Sequence, residues 1–310
     1  AGAASGDLGA VIVDANSPTF VSVAATDGTY IVGDNIDITV TYNEAVSVTG
    51  TPTLTLSNGA TATYTSGSGT TALVFRYTVV EGQTDSFDLS VSSYSGVIGD
   101  VAGNTAGAAS GDLGAVIVDA NSPVITVTSG TDTVSPGSSW TDAGATADGG
   151  ETVTASGTVD TSTVGTYTIT YSATDASGNV GTATRTVNVE LAVGDPHQGG
   201  IVFWLDGNGG GLIAAPADQS SSANWASAVA ICANLTIGIY SDWFLPSINQ
   251  LNQMYSNQSA IGGFSSIYYN YYWSSTGADY NFAMVQLFRN GEQGGYYRSG
   301  TFSVRAVRAF

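Results

Sequence analysis

Side chains able to do covalent or metal chemistry are few in this chain. It has one histidine, His197, and one cysteine, Cys232, and its six basic residues are all arginine. A Ser-His-Asp arrangement would have a single base to draw on. That base sits in Asp195-Pro196-His197-Gln198, with no Gly-x-Ser-x-Gly or Ser-x-x-Lys pattern beside it, so His197 reads as a structural residue at a domain seam. Zinc takes sets of Cys, His and carboxylate ligands that one His and one Cys do not make. Cys232 falls on an apolar helical face and reads as a small core residue. The run Gly207-Asn208-Gly209-Gly210-Gly211 lacks the Lys-Ser/Thr of a phosphate loop and reads as a turn. A paired-carboxylate glycosidase needs two acids in one cleft. The candidates near the C-terminal end are Asp206, Asp218, Asp242, Asp279 and Glu292, and Asp242, beside Trp243, reads as a loop brace. No catalytic residue and no metal ligand set is assigned, and an enzyme is not expected.

The charge balance narrows the partners. The 310 residues carry 25 acidic and 6 basic side chains, a net charge of −19. Such a polyanion has almost nothing with which to release counterions from a nucleic acid or to bind an anionic membrane surface. No run of about 18 apolar residues is present, so membrane insertion is not expected. The charge is unevenly spread: residues 1–191 hold 19 acidic residues and 2 arginines, residues 192–310 hold 6 and 4. Four of the five tryptophans and nine of the sixteen tyrosines lie beyond residue 192. The acidic part suits a soluble, self-repelling stalk, and the aromatic part suits recognition.

An internal repeat orders the chain. Residues 1–18, AGAASGDLGAVIVDANSP, recur unchanged as residues 106–123. The spacing is that of an immunoglobulin-like sandwich, so 1–19 reads as the tail strand of a preceding repeat and 20–123 as a complete one. Alternation over Ile36–Tyr42, Thr53–Leu56 and Leu73–Val79 predicts half-buried strands, and Asn58-Gly59 a hairpin turn. Residues 124–191 predict a shorter all-β unit, with strands at Val124–Val127, Tyr167–Tyr171 and Arg185–Val189. Asp175-Ala-Ser-Gly-Asn179 reads as a turn capped by its own side chains. Calcium is the one ion these Asp-rich turns suggest, but one carboxylate per turn is thin for an ion taking roughly six to eight oxygens.

From residue 192 the pattern becomes mixed. Gly199–Leu205 and Leu212–Ala215 predict a hairpin, and Trp225–Leu235 a helix. Ser247-Ile-Asn-Gln250 is a capping-box sequence opening a second helix over about 247–257. Short strands follow from Tyr271.

GTYIVGDNIDITVTYNEAVSVTGTPTLTL (28–56) resembles the Ig-like repeats of large bacterial adhesins. TDAGATADGG (141–150) and GTYTITYSATDASGNVGTATRTV (165–187) look like a second bacterial Ig-like family. GDPHQGGIVFWLD, SDWFLPSINQLNQMY, YWSST and VRAVRAF resemble, in that order, the C-terminal domain of collagen-like bacterial adhesins, itself similar to C-type lectin-like folds. This last resemblance implies a compact α+β domain with two helices and a loop-rich ligand face, in proteins that mostly bind glycans or proteins at surfaces. Sulfated polysaccharide would need more basic residues than Arg289, Arg298, Arg305 and Arg308.

The stretch 268–303 is dense in Tyr, Asn, Asp, Ser, Gly and Arg. It is similar to the variable region of retroelement-diversified proteins and to the composition of evolved paratopes, and equally to ordinary lectin-like loops. Met284, Gln286, Glu292 and Gln293 do not fit the adenine-directed codon origin of such a variable region.

The expectation is therefore a multidomain chain: all-β Ig-like sandwiches at 20–123 and 124–191, then an α+β C-type-lectin-like domain at 192–310. It would act as an extracellular, cell-surface or virion-surface adhesin or receptor-binding protein for a glycan or protein ligand. Tyr280, Tyr296 and Tyr297 are expected to stack on the ligand, with Asp279, Asn281, Arg289, Glu292 and Arg298 orienting it. The alternative is a filament or surface-layer subunit that self-associates by strand addition through residues 1–18.

Overall fold

A computed structural model describes residues 13–264 and 270–310. The chain divides into two compact units, one of residues 1–130, 142–157 and 169–185, the other of 131–141, 158–168 and 186–310.

In the first unit the strands are β1 (Phe20–Ala24), β2 (Gly28–Ile31), β3 (Asn35–Leu56), β4 (Thr61–Ser66), β5 (Thr70–Thr78), β6 (Ser90–Gly99), β7 (Gly111–Asp112) and β8 (Val116–Asp119). The long β3 is the spine. Its first half pairs antiparallel with β1 and β5, its second with β4 and β6. Burial alternates along it as the sequence predicts: Ile36, Ile38, Val40 and Tyr42 face the core while Asp37 faces out and pairs with Arg76 at 2.7 Å. The Asn58-Gly59 turn joins β3 to β4, with Gly59 at φ 82°.

The second copy of the repeated sequence shows what those eighteen residues do. Gly111–Asp112 pairs with β6, Val116–Asp119 pairs parallel with β2, and Leu113, Val116 and Val118 enter the core. Residues 1–12 of the first copy lie outside the described residues.

The remainder of this unit includes β9 (Ile125–Val127), which pairs with β11 (Ala145–Ala147), and β12 (Thr154–Ser156), which pairs with β13 (Gly165–Thr174) at residues 170–172. A buried charge holds it: Arg185, 3% exposed, donates to Thr128 O and to Tyr171 Oη (3.2 Å), and lies 3.6 Å from Asp142.

One loop device occurs twice. In Asp100-Val-Ala-Gly-Asn104, the Asn104 N–H and Nδ2 donate to Asp100 (2.8 and 2.7 Å), and Nδ2 also donates to Asp14 O (3.2 Å). In Asp175-Ala-Ser-Gly-Asn179, the Asn179 N–H and Nδ2 donate to Asp175 (2.9 and 3.0 Å), and Nδ2 donates to Asp119 O (3.3 Å). Asp119 is the repeat counterpart of Asp14, so both loops hold the same carbonyl of the same sequence. The glycine before each asparagine sits at positive φ (95° and 108°), where a side chain would be strained.

The acidic turns are thus hydrogen-bonded loops: Asp175 Oδ1 accepts from the N–H groups of Ser177, Gly178 and Asn179. Among the described residues one trio of carboxylates, Asp14, Glu44 and Asp100, brings ligand atoms within 4.8 Å of one another.

In the second unit, β10 (Thr133–Val134) pairs parallel with the end of β14 (Val180–Val189). The rest is α+β. One sheet has the order β15 (Pro196–His197), β16 (Gly200–Leu205), β17 (Gly211–Ala214), β23 (Val307–Ala309). A second has the order β18 (Ser220–Ala223), β22 (Phe302–Val304), β19 (Tyr271–Gly277), β20 (Phe282–Leu287), β21 (Gln293–Tyr297). Helix α1 (Trp225–Ala233) is capped by Asn224. Helix α2 (Ile248–Ser256) opens with the capping box expected at Ser247 and Gln250, and a short α3 (Gln258–Ile261) follows that the periodicity did not indicate.

The second sheet lies between two apolar clusters. Trp273, Val285 and Ala283 face α1 with Ala228 and Cys232, whereas Tyr272 packs with Leu251 and Met254 of α2. Cys232 is fully buried, and burial pushes its thiol up to about 12.

Candidate functional site

The eight residues expected to bind ligand lie in the β20–β21 hairpin and the residues flanking it, and the pleat sorts the two on β21. Cross-strand partners share a face, so Phe282 and Tyr297 lie on one side and Ala283 and Tyr296 on the other. Tyr297, 62% exposed, lies against Phe282 with ring centroids 4.1 Å apart. Tyr296, 38% exposed, turns to the opposite face and packs on Tyr271 (5.1 Å) and Phe302 (5.2 Å). The three tyrosines therefore do not form one stacking surface: Tyr296 closes the edge of a packed aromatic cluster.

The turn before β20 builds the other half of the surface. Asp279 Oδ1 accepts from the N–H groups of Asn281 (2.7 Å) and Phe282 (2.8 Å), an Asx turn that projects Tyr280 outward at 91% exposure. Arg298 braces the turn, donating from Nη2 to Asp279 O (3.1 Å) and from Nε to Phe282 O (3.3 Å), with its guanidinium 4.1 Å from the Trp225 ring centroid. Asp279 and Arg298 thus hold the loop in shape, and Tyr280, Asn281 and Tyr297 are the side chains presented there.

Arg289 and Glu292 lie in the β20–β21 connection at the far end of the hairpin, both exposed. Six residues of β20 separate the ends, roughly 17–20 Å of strand. The predicted set therefore occupies two ends and two faces of one hairpin. Gln286, within the same stretch, is fully buried and donates to Asn252 Oδ1 (2.9 Å), so it belongs to the scaffold.

The remaining arginines are committed inward. Arg305 is fully buried, with Nε 2.7 Å from Asp218 Oδ1, Nη1 2.8 Å from Ala215 O, and its guanidinium 4.4 Å from the Phe264 ring centroid. Asp218 also accepts from Tyr272 Oη (2.7 Å). Arg308 bonds to Asp242 and Gln198 and stacks 4.3 Å from the Tyr240 ring centroid. The Arg308 contact holds the Asp242 carboxyl below its usual range. His197 packs edge-on against Phe310 at 4.5 Å, and burial first, then the Arg308 charge, lowers its basicity.

Sequence reasoning passed over Phe282, the platform beneath Tyr297. Its signal was available, since Phe282 leads an alternating strand and is one register step from the exposed turn. It also passed over Trp204, 39% exposed on β16.

Residues 121–189 match the family described as bacterial surface protein, Ig-like domain, and residues 197–308 match the Lcl C-terminal domain. No curated protein matches the chain. A solved structure, the adhesin InvE of Yersinia pseudotuberculosis, aligns over 92% of this chain and 96% of its own at 14% identity. Its TM-score of 0.27 is too low to carry an argument. The chain thus holds, at 121–189, a segment similar to bacterial surface Ig-like domains and, at 197–308, one similar to the Lcl C-terminal domain.

Proposed function

We propose that the chain is a surface-displayed adhesin in which Ig-like domains (20–123 and 124–191) carry a lectin-like head (192–310) that binds an extracellular glycan or protein. The observation that carries this reading is the pair of exposed rings, Tyr280 and Tyr297, held at one end of an edge hairpin by Phe282, the Asp279 turn and Arg298. A tyrosine fixed on a rigid strand offers amphipathic area at small entropic cost, and Asn281 beside it supplies adaptable hydrogen bonding. Arg289, Glu292 and Tyr296 contribute only to a ligand large enough to pass the hairpin edge, which favours a polymer or a folded protein over a monosaccharide at this surface. Sequence variation at the exposed hairpin positions, of the kind retroelement diversification produces, would change the ligand without touching the core.

The rival reading, assembly by strand addition, has less support. The edges that would accept a donated copy of residues 1–18 are already paired in cis by β7 and β8.

The test is a glycan array together with immobilised extracellular-matrix proteins, probed with the parent chain and the Tyr280→Ala/Tyr297→Ala double variant. At least tenfold weaker binding with an unchanged unfolding midpoint is expected. Binding that survives the double substitution refutes the assignment.

A further inference from the structure

The first sheet of the head holds a feature the hairpin surface does not use. Strand β16 pairs with β17 in regular register until a bulge between Val202 and Trp204. An extra residue in one strand re-aims the side chains that follow it. Here Phe203 is fully buried in the cluster shared with α2, and Trp204, which strict alternation would place on the opposite face from Phe203, is turned to solvent. An indole is among the largest apolar groups a core can absorb, so a backbone irregularity that exposes one calls for a reason other than packing.

The space beside it gives that reason. Trp204, Asp206, Asn249, Gln250, Gln253 and Phe310 are among the residues lining a cavity of about 460 Å³, within the range of small-ligand sites. The Trp204 indole N–H and the side-chain amides of Asn249 and Gln253 make no hydrogen bond to any other described residue. Gln250 commits only its Oε1, which accepts from the Ser247 N–H at 2.8 Å, and leaves its Nε2 unbonded. Asp206 uses Oδ1 for the N–H groups of Asn208 (2.7 Å) and Gly210 (3.0 Å), and its second oxygen makes no hydrogen bond. The wall thus combines an apolar floor of Trp204, Leu212, Ala309 and Phe310 with three amides that keep spare donors or acceptors, one carboxylate and no cation.

That chemistry selects its ligand. An anion has no positive partner there and meets Asp206. An apolar ligand would use the aromatic and aliphatic floor but gain nothing from the part-exposed amides at the rim. A neutral pyranose satisfies both demands: its axial C–H face lies on the indole, and its ring of hydroxyls is matched by groups that both donate and accept. We propose that this cavity is a binding subsite for a neutral hexose unit of a glycan, stacked on Trp204 and oriented by Asn249, Gln253 and Asp206. It shares no residue with the Tyr280–Tyr297 surface and stands independently of the role proposed for that surface.

The experiment uses the full chain and the methyl glycosides of glucose, galactose and mannose as probes, with methyl glucuronide as the anionic comparison. Binding is read by saturation-transfer NMR and by protection of tryptophan fluorescence from acrylamide. A single sugar on one ring is expected to bind with Kd of about 1–10 mM. At least one neutral glycoside should give saturation transfer and protection, and the glucuronide neither. Trp204→Ala should abolish both signals, Trp204→Phe should weaken binding several-fold, and Gln253→Ala should weaken it without altering the unfolding midpoint. Tyr280→Ala/Tyr297→Ala should leave these signals intact, so the fate of this subsite is separable from that of the hairpin surface. Absence of transfer from all three neutral glycosides, or transfer that persists in Trp204→Ala, overturns the proposal.

Discussion

Removing the Asp218 carboxylate is the most severe single perturbation of the packing in residues 197–308. Arg305 is fully buried, and Asp218, at 2.7 Å, is its counter-ion. Backbone carbonyls of Ala215 and Gly263 satisfy other guanidinium donors but do not neutralise the charge. Breaking a buried pair by deleting one partner costs about 3–5 kcal/mol, because the survivor is left desolvated and uncompensated. The Tyr272 hydroxyl loses its acceptor as well, adding about 1 kcal/mol. Asp218→Ala should therefore lose about 4–6 kcal/mol, a large fraction of a domain's whole stability. Arg305→Met removes the charge and leaves Asp218, whose side chain is 19% exposed, with access to water. The double variant Asp218→Ala/Arg305→Met should consequently be more stable than Asp218→Ala alone, since a buried pair replaced by apolar side chains is often neutral. Urea unfolding followed by tryptophan fluorescence reads this domain selectively, as four of the five tryptophans lie in it. An Asp218→Ala variant within about 1 kcal/mol of the parent, or a double variant that loses the sum of the two singles, would falsify the reasoning.

Three further outcomes are expected. Asn179→Ala removes the donor to Asp119 O and the acceptor for the Val32 N–H, so proteolysis between residues 119 and 123 should accelerate several-fold, and Asn104→Ala should do the same near residues 14–18; unchanged cleavage rates would count against the loop's clasping role. Acid should destabilise the Ig-like part. Burial raises Asp175, but the hydrogen bonds from Asn179 and the loop N–H groups outweigh it, and bonds from Ser162 and Thr163 lower Asp160. Carboxyls depressed in the folded state add stability that is complete above their unfolded value near 4 and is lost as pH falls through the lower folded values. Thermal melts should therefore hold level from pH 7 to about 5 and drop below about 4; a midpoint that rises below pH 4 would contradict the sign. Cys232, with its thiol pushed up to about 12, should resist iodoacetamide at pH 8 in the native chain and react once unfolded. Native labelling at the unfolded rate would show the thiol to be accessible.

Much of the fold was legible in the residues. Period-2 alternation placed the buried face of β3 and β5, because a strand with one face in a core must alternate. Ser247 and Gln250 gave the start of α2, because a helix terminus needs those donors and acceptors whatever surrounds it. The exact repeat marked residues 106–123 as a unit, and within it β7 pairs with β6 and β8 with β2. The short α3 was not legible, since four residues carry no periodicity.

The candidate site was legible only as a composition. The words that marked the head, SDWFLP, YWSST and VRAVRAF, turn out to specify scaffold: Trp243 and Trp273 are core, Arg305 is a buried ion pair, and Arg308 ties the β23 edge to Asp242. Their spacing along the chain was informative, but their roles depend on partners up to 87 residues away, as with Arg305 and Asp218. Local sequence alone determined that the hairpin 279–298 is polar, aromatic and turn-rich. The pleat turns consecutive Tyr296 and Tyr297 opposite ways, and strand pairing decided which of them enters the aromatic cluster. A single bulge in β16 decided that Trp204 is exposed. Side-chain type is written in the sequence, but which face a side chain meets depends on strand pairing, and pairing is fixed only when the whole sheet closes.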